Sequence, residues 1–317
     1  MTSFPEPPKD DYAMVYLEST DAPLPEKINP ATRYAYFKTI AKGSKAIVYS
    51  CKDLHLSRLV CYKTLKPEFI NDAVEQKRFI REARVGAMLQ HPNTVPMYEL
   101  GKDSKGNVYF TMKLVHGYTL REILDYRERY DLRQLVNVVI QVAHALDYAH
   151  SHRVIHRDIK PENILVGPFG EVVLMDWGLA KVWTEDGSAF VLSDEQFEFN
   201  SNAKVASITD MENLQGTILY MSPEQTLKDP DIDYRSDIYS LGAVMYEILA
   251  GEPPFDAEYV DEMLTKIREE IPPKPSTLTK ERIPSLLEYV VMKCLTKEPN
   301  KRMGSCAELV RMLEEDW

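Results

Sequence analysis

The sequence predicts an α+β chain in two lobes, a small antiparallel sheet lobe followed by a larger, mostly helical one. Three observations predict it. A chain of 317 residues exceeds what one small core needs. Strand-like runs crowd between residues 34 and 115, and apolar periodicity of about 3.6 residues dominates after Gly117. Strands first and helices afterwards indicate α+β rather than alternating α/β. The expected division is an N-terminal extension over residues 1–33, a sheet lobe over 34–115 and a helical lobe over 116–317.

The first thirty residues hold Pro5, Pro7, Pro8, Pro23, Pro25 and Pro30 and no sustained period. They read as an arm outside the core, extended or packed onto it, in which Tyr12 to Leu17 could dock as a strand. Tyr34 to Ala41, Ala46 to Cys51 and Arg58 to Thr64 read as three antiparallel strands, the first two joined by a bend at Lys42-Gly43-Ser44-Lys45. On its own that bend is an ordinary hairpin. Ala73 to Gln90 carries a partial helical period in Phe79, Ala83, Ala87 and Leu89. Its charged residues, Lys77, Arg78, Arg81, Glu82 and Arg84, read alone as a solvated face. Val95 to Leu100 and Asn107 to Val115 bring the strands to five.

Asp131 is a natural N-cap for a helix over Leu132 to His152, whose Leu135, Val138, Val139, Val142, Leu146 and Ala149 form one stripe. Ser236 or Asp237 is expected to cap a second helix, running to Ala250 and stopped by Gly251 and Pro253. This second helix is apolar all round, so it should be buried on every side. Amphipathic stretches at Ala257 to Glu269, Pro284 to Thr296 and Ser305 to Glu315 complete the helical lobe.

A hydrophobic fraction of 44% with 27% charged residues describes a globular chain rather than a disordered or membrane one. No apolar run approaches the ~18 residues of a membrane span, since even Leu241 to Leu249 contains Glu247. Glu6, Asp10 and Asp11 oppose a secretory signal, which needs a basic start. Cys51, Cys61, Cys294 and Cys306 lack ligand-like spacing and fit reduced thiols, so a cytoplasmic location is expected. His144, His150 and His152 have no Cys or carboxylate companions at ligand spacing and read as structural. A net charge of −11 opposes nucleic-acid binding and fits basic protein substrates weakly.

The chemistry concentrates in His156-Arg157-Asp158-Ile159-Lys160-Pro161-Glu162-Asn163. This stretch sets a carboxylate, an ammonium and an amide close together, and Pro161 discourages helix after Lys160. Asp176-Trp177-Gly178 follows the strand-like Val172-Val173-Leu174-Met175. A loop carrying Asp158 and Asn163, next to a strand ending in Asp176, can converge two oxygen ligands on a hard cation and leave one carboxylate for a proton. Mg²⁺ suits such a site, because it keeps waters and takes only one or two protein oxygens beside phosphate. The alternative is that these Asp and Asn residues only make turns.

These two motifs, followed by Ser222-Pro223-Glu224, resemble the catalytic core of the eukaryotic-type (Hanks-type) Ser/Thr protein kinases. Asp-Trp-Gly and the run Gly216 to Gln225 are most similar to bacterial members, and the resemblance covers about residues 34 to 315. It implies a bilobal kinase fold that uses ATP and Mg²⁺ to phosphorylate protein Ser/Thr hydroxyls. In that resemblance Asp158 orients the acceptor hydroxyl and takes its proton, and Lys160 neutralises the γ-phosphate. Asn163 and Asp176 hold Mg²⁺, and Lys63, fixed by Glu82, aligns the nucleotide. Ile40, Gly43, Val48, Cys61, Lys63, Met112, Lys113, Val115 and Leu165 would line the nucleotide site, with Met112 at its back and backbone groups of Lys113 and Val115 on adenine. Thr119 stands near the place of a ribose-contacting carboxylate.

The bend at Gly43 corresponds to the family's Gly-rich phosphate flap, with Ala41 and Ala46 at the other glycine places. An alanine forced to positive φ there would cost about 1 kcal/mol. Lys160 and Thr217 resemble the Ser/Thr-specific branch. Asp237 would brace the catalytic loop, and Arg302 would pair with Glu224. Gly86, Met97, His156 and Trp177 would form an apolar column joining the lobes, with the space at Gly86 expected to admit the Trp177 indole. The activation segment would span residues 176–224, with Ser188, Ser193, Ser201, Ser207 and Thr209 available for phosphorylation. Arg157 is expected to bind phosphate added by autophosphorylation at Ser207 or Thr209, through self-association in trans. The competing readings are a non-catalytic kinase-like binding module and a small-molecule phosphotransferase.

Overall fold

The computed structural model describes residues 32–183 and 218–315. The strand expected at Tyr12 to Leu17, the five hydroxyl residues of the activation segment and Thr217 lie outside the described residues.

Five antiparallel strands form the first sheet: β1 (Tyr34–Lys42), β2 (Ala46–Asp53), β3 (Arg58–Leu65), β4 (Met97–Lys102) and β5 (Val108–Lys113), in the order β1-β2-β3-β5-β4. β4 starts two residues later than expected. Pro96 has no N–H to give a ladder, and its carbonyl instead accepts from Lys113 N–H at 3.0 Å. The β1–β2 bend closes with Gly43 N–H on Ala46 O at 2.9 Å. Neither Ala41 nor Ala46 has positive φ, so the cost of forcing an alanine there does not arise. β1 is irregular all the same: its register shifts between Ala35 and Lys38, where Tyr36 takes φ +57°, and again between Thr39 and Ala41.

Alternation gives the sheet two different faces. Tyr34, Tyr49, Tyr62 and Tyr109 pack on one, with Tyr62 stacked on Tyr109 at 4.5 Å between centroids. Directly paired residues share a face, so Val48, Lys63 and Phe110, and likewise Cys61 and Met112, share the other. Helix α1 (Ala73–Met88) covers that second face, with Phe79 against Phe110 at 4.8 Å. Asp72 starts it, its carboxylate accepting from Val74 N–H and Glu75 N–H.

The remainder is mostly helical. A short α2 (Leu120–Leu124) precedes α3 (Leu132–Ser151), which Asp131 caps together with Gln134 in a reciprocal pair. α4 (Pro223–Thr226) leads to α5 (Arg235–Ala250), buried along almost its whole length and ended by Gly251 at φ +85°. The expected cap of α5 is corrected: Tyr234 occupies the N-cap with no side-chain bond. Asp237 spends its carboxylate elsewhere, and the Ser236 hydroxyl pairs with that of Ser222. α6 (Val260–Glu269), α7 (Ser285–Cys294) and α8 (Cys306–Leu313) complete the set. No helix among the described residues is long and apolar enough to cross a membrane.

Arg302 and Glu224 form a buried bidentate pair at 2.6 and 2.7 Å. The remaining guanidinium N–H groups donate to Thr296 O, Arg235 O and Lys297 O, so all five donors are used. That complete satisfaction is what makes a charge tolerable there.

Candidate active site

A second, three-stranded sheet builds the loop chemistry: β6 (Tyr118–Thr119), β8 (Ile164–Val166) and β9 (Val172–Leu174), in the order β6-β8-β9, after a short β7 (Val154–Ile155). Ile164 pairs with Leu174, so Asn163 just before β8 and Asp176 just after β9 emerge at the same end of one ladder. Met175 N–H on Asn163 O, at 2.8 Å, extends that ladder by one rung. Leu174 N–H donates to Asn93 O at 2.9 Å, docking β9 beneath the exit of α1.

The loop before β8 is held from both sides. The fully buried Asp237 carboxylate accepts Arg157 N–H and His156 N–H, each at 2.8 Å, and meets His150 Nε2 at 2.9 Å. Burial would raise its pKa, but the His150 bond and the loop N–H groups outweigh that and hold it below the usual carboxylate range. His156 Nδ1 accepts Asp158 N–H at 3.2 Å, so its Nε2 carries the proton and donates to Met175 O at 2.8 Å. Arg157 and Asp176 take φ of +66° and +61°, left-handed conformations that non-glycine residues seldom adopt.

Within this frame Asp158 Oδ2 receives Asn163 Nδ2–H at 2.9 Å and lies 3.1 Å from Lys160 Nζ. Asn163 Nδ2 also donates to Asp158 O at 2.8 Å, so the amide group is turned with its oxygen away from Asp158. Across from it, β3 and α1 bring Lys63 Nζ to 2.6 Å from Glu82 Oε1. A Cβ added at Gly178 would stand 3.2 Å from Asp176 Oδ1 and 4.0 Å from Glu82 Oε2, so this turn, the carboxylate and α1 are contiguous.

The electrostatics follow from burial and proximity. Burial pushes Glu82 up to about 7 against the opposing pull of Lys63. Burial would lower Lys63, but Glu82 and Asp176 outweigh it and keep the ammonium charged. Burial would also raise Asp176, yet Lys63 and the Gly178 N–H hold it ionised and below its usual range. Two carboxylates, Glu82 and Asp176, thus face one ammonium.

Other expected positions vary in what surrounds them. Val48 lies opposite both Ala41 and Lys63, and Cys61 opposite Met112. The thiol of Cys61 is pushed up to about 12 by burial, which makes it packing rather than a nucleophile. Ile40 falls in the register shift between Thr39 and Ala41 and is half-exposed. Leu165 pairs with Thr119 and Val173 on the smaller sheet. Lys113 N–H donates to Pro96 O and so is not available to a ligand, and Val115 has no backbone hydrogen bond among the described residues. Thr119 caps α2, its hydroxyl donating to Glu122 Oε2 at 2.8 Å and accepting Glu122 N–H, so it is committed before any ribose arrives.

His156 and Trp177 meet edge to face at 4.4 Å. The expected exchange of volume between Gly86 and the indole is not found: the three atoms nearest to a Cβ at Gly86 all belong to Met97, from 2.5 Å. The flexible thioether, not the rigid indole, fills that gap. Sequence reasoning also missed the network beneath the loop, where Arg121 pairs with Glu247 at 2.7 Å, donates to Glu162 at 3.2 Å and bonds Tyr220 OH. The available signal was Glu247, the one charge in the apolar run Leu241 to Leu249, which had to be paired.

A family model described as "Protein kinase domain" matches residues 34–317. The chain is 33% identical over 311 residues to the serine/threonine-protein kinase PknD of Protochlamydia amoebophila, covering 94% of this chain and 30% of that protein. It is 34% identical over 280 residues to PknB of Mycolicibacterium smegmatis, covering 87% of this chain and 42% of the relative. PknB of Mycobacterium tuberculosis is 34% identical over 281 residues, with the same coverage of 87% and 42%. The chain therefore spans less than half the length of these curated relatives. With this match, and with the loop, strand end and Lys63–Glu82 pair assembled as above, the chain belongs to the protein kinase family.

Proposed function

We propose that this chain transfers the γ-phosphoryl group of ATP to Ser or Thr hydroxyls of protein substrates. The observation that carries the reading is the closed Lys63–Glu82 pair at 2.6 Å beside an ionised Asp176, on the same side as Asp158 with its Lys160 and Asn163 partners.

Phosphoryl transfer asks a protein mainly for positioning and charge. Lys63, held by Glu82, would fix the α- and β-phosphates. Asp158 would orient the acceptor hydroxyl and take its proton, its carboxylate aimed by the Asn163 amide. Lys160 carries positive charge to the place where the γ-phosphoryl moves. The Asn163 amide oxygen and the Asp176 carboxylate suit Mg²⁺, since both are oxygen donors at one ladder end and Asp176 is already anionic. Bound there, Mg²⁺ would neutralise charge on the phosphates.

Val48, Cys61, Met112 and the backbone of Lys113 and Val115 would receive adenine, with Ile40 and Leu165 at its edges. Gly43 would lie in the bend that covers the phosphates, with the nucleotide beneath it. Its φ is not left-handed, and a Cβ there would meet only Ala46 O, at 3.5 Å, so nothing within the chain demands glycine. We further place residues 34–115 and 116–317 in separate lobes, 1–33 outside them, the protein in the cytoplasm, and autophosphorylation within residues 176–224. Incubation with labelled ATP and parallel protein and small-alcohol acceptors tests the reading. Label is expected on protein Ser or Thr only, and label on the small alcohol alone would replace it with a small-molecule phosphotransferase.

A further inference from the structure

Lys45 sits in the β1–β2 bend, yet its side chain does not point along the bend. Its ammonium ion-pairs with Glu75 in the first turn of α1. Its carbonyl accepts Lys66 N–H at 2.8 Å, so both its backbone and its side chain are fastened. Glu75 is buried, and the same oxygen, Oε1, takes Arg78 Nη1 at 2.9 Å. A buried carboxylate is cut off from water and depends on these cations to compensate its charge.

Glu75 and Glu82 are seven residues apart, about two helical turns, and so lie on nearly the same side of α1, about 10 Å from each other. One helix face thus grips the bend through Lys45 and the phosphate-aligning lysine through Lys63. We propose that Lys45–Glu75 is a tether that holds the bend in place over the nucleotide phosphates and ties its position to that of α1. Lys45 is a positioning residue acting through Glu75, not a direct phosphate ligand. The tether supplies by side chain the placement that a bend with Ala41 and Ala46 does not draw from glycines. This inference rests on the nucleotide lying under the bend, as proposed above.

The test measures Mg·ADP affinity by titration calorimetry, and KM for ATP against kcat, in the full chain. Lys45→Met and Glu75→Gln are each expected to weaken Mg·ADP binding and raise KM about two- to fivefold, the range of a half-exposed ion pair, with kcat within twofold. The double variant should be no worse than either single one. If Lys45 touched phosphate directly, Glu75→Gln would free it and tighten binding, which overturns the tether. Additive losses also overturn it. Lys63→Met separates the two readings: its loss of Mg·ADP binding while Lys45→Met changes nothing removes the tether alone, and no change in either variant removes both. Circular dichroism and unfolding midpoints identify any variant that fails to fold, in which case Lys45→Arg, expected to bind as the original does, decides; a loss as large as that of Lys45→Met would overturn the tether.

Discussion

Replacing Asp237 with asparagine removes the anchor of the catalytic loop while changing almost no volume. Oδ1 accepts Arg157 N–H at 2.8 Å, and Oδ2 accepts His156 N–H at 2.8 Å and faces His150 Nε2 at 2.9 Å. Asparagine keeps one acceptor oxygen and puts an NH₂ group against a backbone donor. Two bonds to a buried charged acceptor are then lost, each about 1.5–3 kcal/mol. The expected loss is about 3–5 kcal/mol, a large part of the ~5–15 kcal/mol that holds a typical domain. Urea unfolding should show a lower midpoint with an unchanged slope.

The pH dependence gives a second readout. The Asp237 carboxyl is held below its usual range in the folded chain, where burial is outweighed by His150 and the loop N–H groups. Its contribution is therefore complete above the unfolded pKa of about 4 and disappears as pH falls through the folded value. The gap between the original protein and Asp237→Asn should be constant at neutral pH and narrow in acid. A loss below about 1 kcal/mol, or a gap indifferent to acid, would refute the assignment of Asp237 as an ionised anchor.

Arg302→Met should cost about 3–5 kcal/mol by denaturant unfolding, because Glu224 stays buried without its partner, and adding Glu224→Met should recover most of it. Gly43→Ala should leave the unfolding midpoint unchanged but raise KM for ATP, since the new methyl meets only Ala46 O inside the chain. Gly86→Leu should lose about 1–3 kcal/mol by overpacking, measured by thermal unfolding. Met97→Ala should restore it where Trp177→Phe does not, because Met97 Cε lies 2.5 Å from the new Cβ position.

Order and spacing of side chains carried much of the fold. The five strands, the Asp131 cap and the Gly251 stop each have a local cause that a short window of sequence contains. What local windows lacked was the use of groups across the chain. Local pattern made Asp237 a helix cap, because acidic residues near helix starts usually are; only the family resemblance pointed to the catalytic loop, whose backbone donors eighty residues away its carboxylate accepts. Thr119 stands near the place of a ribose-contacting carboxylate, and capping α2 commits its hydroxyl. The exchange expected between Gly86 and Trp177 failed because a flexible neighbour, Met97, fills space before a rigid one can. The Arg121–Glu247 pair was hidden because an arginine's partner is chosen by packing, here 126 positions further on. Motif residues were easier, since Asp158, Lys160 and Asn163 lie within one loop and interact there.

Single-turnover transfer from ATP to a protein acceptor, measured alongside nucleotide affinity in the original chain and in Asp158→Asn, tests the central assignment most directly. The account predicts that the variant binds Mg·ATP as tightly as before and transfers phosphate at least about a hundredfold more slowly. Equal transfer rates in the two proteins would contradict it.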